Sequence, residues 1–193
     1  SRQVLMGVAQ YANENGGWDF THPKAGENGE VALPSHWQGD GIICRLTSDA
    51  LRKQVVASQV PAVNVSWLGQ HSAEVVKVVS DEVACGRMSA EYFLDRQFRH
   101  FGFIGPPDWQ KYEPLIAESI RTELEKKEIQ LNLFPFPPRE SYQDRIRSSL
   151  EEWIVGMERP LALITWSSKS GLIASSVCAQ NGIPVPNDVA ILC

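Results

Sequence analysis

Aromatic, charged and hydroxyl side chains follow several apolar runs in the second half of the chain, and their types suit the recognition of a small polar molecule. The loop after residues 101–104 contains Asp108, Trp109 and Lys111. An indole stacks on the apolar face of a sugar ring, while a carboxylate and an ammonium bond its hydroxyls. The same residues also occur in solvated loops whose tryptophan packs on neighbouring backbone, and the sequence leaves both hypotheses open.

Two further loops combine an apolar surface with hydroxyl groups. Phe136 lies in a proline-rich loop after residues 131–133, where it is either a stacking platform or part of a rigid loop that closes the core. Ser167 and Ser168 follow residues 161–165 and precede a helical pattern. A serine in this place caps free N–H groups, and a helix N-terminus also favours an anion or a hydroxyl. Both roles are open for these serines.

The sequence contains no set of residues that would perform catalysis or hold a metal ion. It has no Gly-x-Ser-x-Gly turn, no phosphate-binding loop and no Gly-x-Gly-x-x-Gly motif. The four histidines are scattered, and the four cysteines form no Cys-x-x-Cys pair. We therefore predict that the protein is not an enzyme, that it has no cofactor and no metal site, and that its cysteines are buried and reduced.

The composition describes a globular chain without a nucleic-acid-binding surface of its own. The 193 residues are 43% hydrophobic, which suffices for the core of one large or two small domains. The formal net charge of −5 lacks the basic character of a nucleic-acid-binding module. No apolar run approaches about 18 residues, so we predict no membrane-spanning segment and no membrane partner.

Helical and strand patterns alternate along the chain, which is typical of α/β proteins. In the second half, apolar runs begin near Phe101, Leu131, Leu161 and Val189, at intervals of about 30 residues, which is the length of a βα unit. Strands joined by helices are parallel, and their crossovers are right-handed. The pattern predicts doubly wound parallel sheets, which bind ligands at the carboxyl ends of their strands.

We predict two such α/β subdomains, formed by residues 1–80 and residues 81–193. The predicted elements of the first are a helix over residues 2–14 with a glycine stop at Gly16, a short strand beginning at Trp18, strands at residues 41–44, 62–65 and 75–79, and a helix capped by Ser48. In the second, Asp81 is predicted to cap a helix whose packed face contains Val83, Gly86, Ala90, Phe93 and Leu94. Ile146, Leu150, Trp153, Ile154 and Met157 form a second apolar helix face.

Both ends of the sequence fall within this pattern. The chain opens directly on a helical pattern and stops inside an apolar run that includes Val189. A sheet needs strands on either side of these elements. We therefore expect a strand before Ser1 and more structure after Cys193, which makes both subdomains incomplete.

Three segments resemble the LacI/GalR sugar-responsive repressors. In residues 78–105, an Asp opens a helix, a Gly follows five residues later, and an aromatic–Leu pair closes the helix before a buried strand that ends in glycine. Residues 37–43 resemble the family's W-x-G-D-G strand entry, and residues 181–191 resemble its G-h-x-h-P-x-D-h-x-h-h segment. The chain is most similar to the sensing domain of xylose operon regulators, which has a periplasmic-binding-protein fold.

This resemblance implies a cytoplasmic, homodimeric transcription regulator whose sensing domain binds a sugar effector, such as xylose, between two sheets. Closure of the domain then changes how attached modules grip operator DNA. In xylose regulators the resemblance implies an AraC-type helix-turn-helix module, which would lie beyond Cys193. By position, the ligand contacts are Ser1, Arg2, Asp81, Trp109, Lys111, Phe136, Ser167 and Ser168.

Two departures from the family concern the ligand. Ile116 stands where the family has an arginine that bonds the ligand, and Ser168 replaces an acid. Another ligand aspartate is expected just past Cys193. Two alternatives to a regulator are a freestanding periplasmic sugar-binding protein of a transporter and a small α/β enzyme of the flavodoxin-like or nucleotide-handling kind. The enzyme would need a phosphate loop or a nucleophile, which the sequence does not supply.

Overall fold

The computed structural model describes residues 2–22, 31–34, 37–67, 74–106, 115–137 and 142–193, with the side chains of residues 142–144 excepted. These residues form six helices and seven strands in the order α1 (Arg2–Asn15), β1 (Ile42–Cys44), α2 (Asp49–Ala57), β2 (Ala62–Asn64), β3 (Val76–Lys77), α3 (Glu82–Leu94), β4 (His100–Ile104), α4 (Leu115–Glu125), β5 (Leu131–Leu133), α5 (Tyr142–Gly156), β6 (Leu161–Thr165), α6 (Ser168–Gln180) and β7 (Val189–Leu192). They belong to two compact units, Ser1–Val78 and Val79–Cys193.

The first unit contains a parallel sheet with the strand order β1-β2-β3. The strands predicted at residues 41–44, 62–65 and 75–79 are present but shorter than their apolar runs. Helix α2 begins where predicted, because the Ser48 hydroxyl accepts a hydrogen bond from the N–H of Leu51 at 3.2 Å. Its apolar face covers the sheet, and the core consists of Ile42, Leu46, Leu51, Val55 and Val75.

The predicted strand at Trp18 is wrong. Residues 18–20 are irregular, and Trp18 and Phe20 are about half exposed. The ring of Trp18 packs against those of Tyr11 in α1 and Phe20, with centroid distances of 5.5 Å for Tyr11–Trp18 and 6.1 Å for Trp18–Phe20. A strand is stable only when a neighbour pairs with its backbone, and residues 18–20 pair with no strand among the described residues. The glycine stop of α1 is confirmed, since Gly16 has a φ of 77°.

The second unit contains a four-stranded parallel sheet with the order β5-β4-β6-β7. Its two faces are covered by different helices, so side chains alternate between two cores. Along β6, Ala162 and Ile164 join the cluster with α3 and α4, whereas Leu161 and Leu163 join the cluster with α5 and α6. This arrangement confirms the prediction of a doubly wound parallel sheet for this unit.

Helices α3 and α4 pack closely because Gly86 has no side chain. A Cβ at Gly86 would lie 2.5 Å from the carbonyl oxygen of Ile116 and 2.8 Å from the Cβ of Ser119. The hydroxyl of Ser119 donates to the carbonyl oxygen of Val83 at 2.7 Å. The prediction that Val83 packs is wrong for its side chain, which is 51% exposed. Its carbonyl oxygen contacts α4, whereas its side chain lies in the first turn of α3, where no earlier turn covers it.

The cysteines are free thiols, but only part of the prediction about their burial is right. Cys178 is buried and Cys44 is partly buried, whereas Cys85 and Cys193 are exposed. Cys85 lies one position before Gly86, so the helical period turns it away from the packed face of α3. Burial raises the pKa of the Cys44 and Cys178 thiols, although the nearby charge of Arg159 opposes the shift at Cys178. Both thiols are therefore protonated and unreactive at neutral pH.

None of the helices in the described parts of the chain is both long enough and apolar enough to cross a membrane.

Candidate functional site

In the second-unit sheet, the direction in which the chain adds strands reverses between β4 and β6. From β4 the chain continues to β5, which pairs with one side of β4. It then crosses back to form β6, which pairs with the other side of β4, and β7 follows next to β6. Crossovers that leave two adjacent strands in opposite directions open a crevice at the carboxyl ends of those strands, and ligands of open α/β sheets bind there. The candidate site is therefore built on the segments that follow β4, β5 and β6.

Backbone hydrogen bonds hold these three strand ends together. The N–H of Trp166 donates to the carbonyl oxygen of Ile104 at 2.8 Å, and the N–H of Phe134 donates to that of Phe103 at 2.9 Å. Thr165 is buried, and its hydroxyl donates to the carbonyl oxygen of Ser167 at 3.1 Å. The loop from β6 to α6 is thus rigid where its polar groups reach the edge of the sheet.

Ser167 and Ser170 form a pair of hydroxyls at the N-terminus of α6. Ser167 is the N-cap, and its oxygen accepts from the N–H of Ser170 at 3.2 Å. The two hydroxyl oxygens lie 3.0 Å apart. Ser168 is exposed at the first helical position and is not the cap. The capping hypothesis is confirmed for Ser167, and a hydroxyl pair at the positive end of a helix is also suited to bond ligand oxygens.

Replacing Ser167 by alanine is expected to lower the free energy of unfolding by about 1 kcal/mol, because the N–H of Ser170 loses its acceptor. Ser168→Ala is the matched control and is expected to change stability by less than about 0.5 kcal/mol, since Ser168 is exposed and does not cap the helix. Urea denaturation followed by far-UV circular dichroism measures both. Equal effects of the two substitutions would contradict the assignment of the cap.

Phe136 lies after β5 and is partly buried. Its ring meets that of Phe134 edge to face, with centroids 4.8 Å apart. Phe134 is fully buried and in turn contacts Trp153 at a centroid distance of 5.4 Å. The structure therefore supports the hypothesis that the loop closes the core. A ring held in this way also presents a fixed apolar surface beside the strand ends.

Asp81 is the N-cap of α3, as predicted, and its carboxylate accepts from the N–H of Ala84 at 2.9 Å. The contacts of Gly86 with Ile116 and of Val83 with Ser119 place the first turns of α3 and α4 side by side. Helix α4 follows the carboxyl end of β4. Asp81 therefore lies at the same edge of the sheet as Phe136, Ser167 and Ser168, although its carboxylate is occupied as a cap.

The remaining predicted site residues are Arg2, which belongs to the other unit, and four residues that the structure does not describe. Arg2 is the exposed first residue of α1 in the other unit. Ser1, Asp108, Trp109 and Lys111 lie outside the described residues, so their roles stay predictions.

Several residues at this sheet edge were not predicted from the sequence as site residues. Trp166 carries the hydrogen bond to β4, Thr165 fixes the following loop, and Ser170 completes the hydroxyl pair. In the first unit, Asn64 is 5% exposed at the end of β2 and accepts two backbone hydrogen bonds. Asn64 could have been identified from the sequence alone, because it is a polar residue inside the apolar run of residues 62–65.

Nothing in the described part of the chain groups three or more histidine, cysteine or acidic side chains as a metal site would require. His100 lies 3.2 Å from the carboxylate of Glu158, but it is the first residue of β4 and belongs to the opposite edge of the sheet. An open groove of about 660 Å³ runs along α1, between residues such as Gln3, Gly7 and Glu14. It is lined by one helix only, so it brings no groups from different elements together.

Residues 90–193, more than half of the chain, match the family model of the periplasmic binding protein-like domain. The chain belongs to this family. No curated protein matches it.

Solved structures share the fold. The chain is similar to a xylose-binding transcription activator, with a TM-score of 0.76 and 19% identity over 99% of this chain and 50% of that one. It is also similar to a LacI family transcriptional regulator from Enterococcus faecium with bound ribose, with a TM-score of 0.59 and 16% identity over 79% of this chain and 57% of the other. A periplasmic binding protein/LacI transcriptional regulator from Alkaliphilus metalliredigens, complexed with D-xylulofuranose, gives a TM-score of 0.57 and 16% identity over 79% and 55%.

The chain spans only 50–57% of the length of these proteins. Their similarity to this chain confirms the predicted LacI/GalR-like, periplasmic-binding-protein-like α/β fold.

Proposed function

We propose that this chain is the sugar-binding effector domain of a bacterial transcription regulator. The observation that carries the proposal is the switch between β4 and β6, where one sheet edge holds an aromatic ring and a hydroxyl pair. The family match and the regulators that share the fold support it, because several of those proteins bind pentoses or a related ketose.

The groups at this edge suit a neutral polyol. A sugar has an apolar ring face, which Phe136 matches, and hydroxyls that both donate and accept. Ser167 and Ser170 supply hydroxyls with the same double capacity. The carboxylate of Asp81 is engaged as a helix cap. Xylose is the sugar we propose first, with Trp109, Lys111 and Asp108 completing the contacts as predicted from the sequence.

The same proposal extends to the full-length protein. It would be a cytoplasmic homodimer that contacts operator DNA through an AraC-type module outside this chain, and the net charge of −5 is consistent with DNA contacts that lie elsewhere. We assign residues 1–80 and 81–193 to its two subdomains. The alternative is a freestanding sugar-binding protein of a transporter, and the regulators among the structural neighbours favour the first hypothesis.

Thermal unfolding with added sugar tests the proposal. D-xylose and D-ribose are titrated against the protein, with glycerol as the control polyol. At about 100 times its Kd, a bound sugar adds about 2.7 kcal/mol to stability, so the Tm should rise with the sugar concentration and keep rising, with its logarithm, above the Kd. A folded protein whose Tm responds to neither pentose any more than to glycerol would overturn the assignment.

Trp109→Ala is expected to weaken pentose binding by about tenfold or more while it changes the free energy of unfolding by less than about 1 kcal/mol, because the sequence predicts a loop at this residue rather than a core position. Isothermal titration calorimetry measures the affinity. Trp18→Ala removes a half-exposed indole from the other unit and should leave the affinity unchanged. Wild-type affinity in the Trp109 variant would exclude this indole from the site.

A further inference from the structure

Asn64 ends β2, the central strand of the first-unit sheet, and its side chain is almost completely buried. Its Oδ1 accepts two backbone hydrogen bonds, from the N–H of Leu46 at 3.1 Å and from the N–H of Ser66 at 2.9 Å. Because both donors are backbone N–H groups, the oxygen of the amide must face them, which fixes the orientation of the side chain.

This one residue connects the segments that follow all three strands. Leu46 lies after β1 and Ser66 lies after β2. The carbonyl oxygen of Asn64 also accepts from the N–H of Val78, after β3, at 2.9 Å. Leu46 and Ser66 are buried, so the loss of Oδ1 would remove the acceptor of two N–H groups that water does not reach. The loops at this edge therefore depend on Asn64 for their shape.

We infer that Asn64 is a positioning residue for sugar binding at the carboxyl edge of the first-unit sheet. The inference rests on the proposed function and extends it to a second sheet edge. Parallel strands present their ligand-binding groups at this end. Arg45 and Thr47 are exposed on either side of buried Leu46, so the bond from Leu46 to Asn64 sets where their guanidinium and hydroxyl groups lie. A guanidinium can donate hydrogen bonds to sugar hydroxyls, and a threonine hydroxyl can both donate and accept them.

Two variants of Asn64 separate positioning from general stability. In Asn64→Leu the volume is similar but both hydrogen bonds are lost, whereas in Asn64→Asp a carboxylate oxygen still accepts from the same two N–H groups. Hydrogen exchange without sugar reports on the amides of Leu46 and Ser66. Calorimetry with D-xylose and D-ribose gives the Kd of the folded fraction.

We expect Asn64→Leu to accelerate exchange at both amides and to weaken pentose binding by about tenfold or more, and Asn64→Asp to stay within about threefold of wild type in both measurements. Faster exchange in the Leu variant with an unchanged Kd would show a purely structural role and overturn the inference. Unchanged exchange would overturn it as well, because Oδ1 would not be holding the loops.

A second pair of variants keeps the test decisive if Asn64→Leu does not fold. Arg45→Ala changes an exposed side chain on the positioned loop and should also weaken pentose binding by about tenfold. Arg52→Ala, on α2, is the control and should not. Equal affinities of the two variants would overturn the inference. If the wild-type protein binds neither pentose, the proposed function itself fails, whatever the exchange data show about Asn64.

Discussion

Trp153→Ala is expected to lower the free energy of unfolding by about 3–5 kcal/mol. Trp153 lies on the apolar face of α5, and its ring contacts the buried ring of Phe134 edge to face. The indole also fills the space over Gly102 of β4, where an added Cβ would come within 2.8 Å of it. Alanine would leave a cavity between the helix and the central strand, and the glycine has no side chain that could move in.

Urea denaturation followed by far-UV circular dichroism measures this loss without relying on tryptophan fluorescence. Val155→Ala is the matched control, because Val155 lies on the same helix and is 47% exposed. Its substitution should change stability by less than about 0.5 kcal/mol. A loss below about 1 kcal/mol for Trp153→Ala would refute the packing of α5 described here.

Gly86→Ala is expected to destabilise the protein by about 2–3 kcal/mol. Within a helix, glycine-to-alanine replacement ordinarily stabilises by about 0.5–1 kcal/mol, so the expected sign is reversed. The sign is reversed because α3 and α4 are closely packed at Gly86. The new Cβ would meet the backbone oxygen of Ile116 at 2.5 Å, and a backbone atom in a packed helix cannot turn aside as a side-chain end does.

Gly156→Ala provides the comparison within the same unit. Gly156 is the last residue of α5, and a Cβ there would meet nothing within 4 Å. This variant should be as stable as the wild type or up to about 1 kcal/mol more stable. Chemical denaturation of both variants gives the difference, and a stabilised Gly86→Ala protein would mean that the two helices are not in contact at this point.

The sequence was most informative in the second unit, where helices cover both faces of the sheet. The runs that begin at Leu131, Leu161 and Val189 start β5, β6 and β7 at those residues, because a strand covered by helices on both faces is apolar at nearly every position. Near Trp18, apolar and polar residues alternate over three positions only, and such a short pattern does not reveal whether a partner strand exists.

Site residues were predictable where their partners are close in sequence. Ser167 bonds the N–H three residues later, and Phe136 contacts the ring two residues earlier, so local patterns suffice. Asn64 accepts from Leu46, which is far away in the sequence. That contact exists only because β1 and β2 pair side by side, and residue types do not specify the register of two parallel strands.

The position of β4 between β5 and β6 has a consequence for how the second unit folds during synthesis. The paired residues His100 and Leu161 lie about 60 positions apart, so the central pair of the sheet is a contact of high sequence separation, which slows folding. As the chain leaves the ribosome, β4 meets only β5 until residues 161–165 have emerged. Until then one edge of β4, whose residues 101–104 are buried in the folded protein, stays unpaired, and this is the interval in which a chaperone would protect the nascent chain.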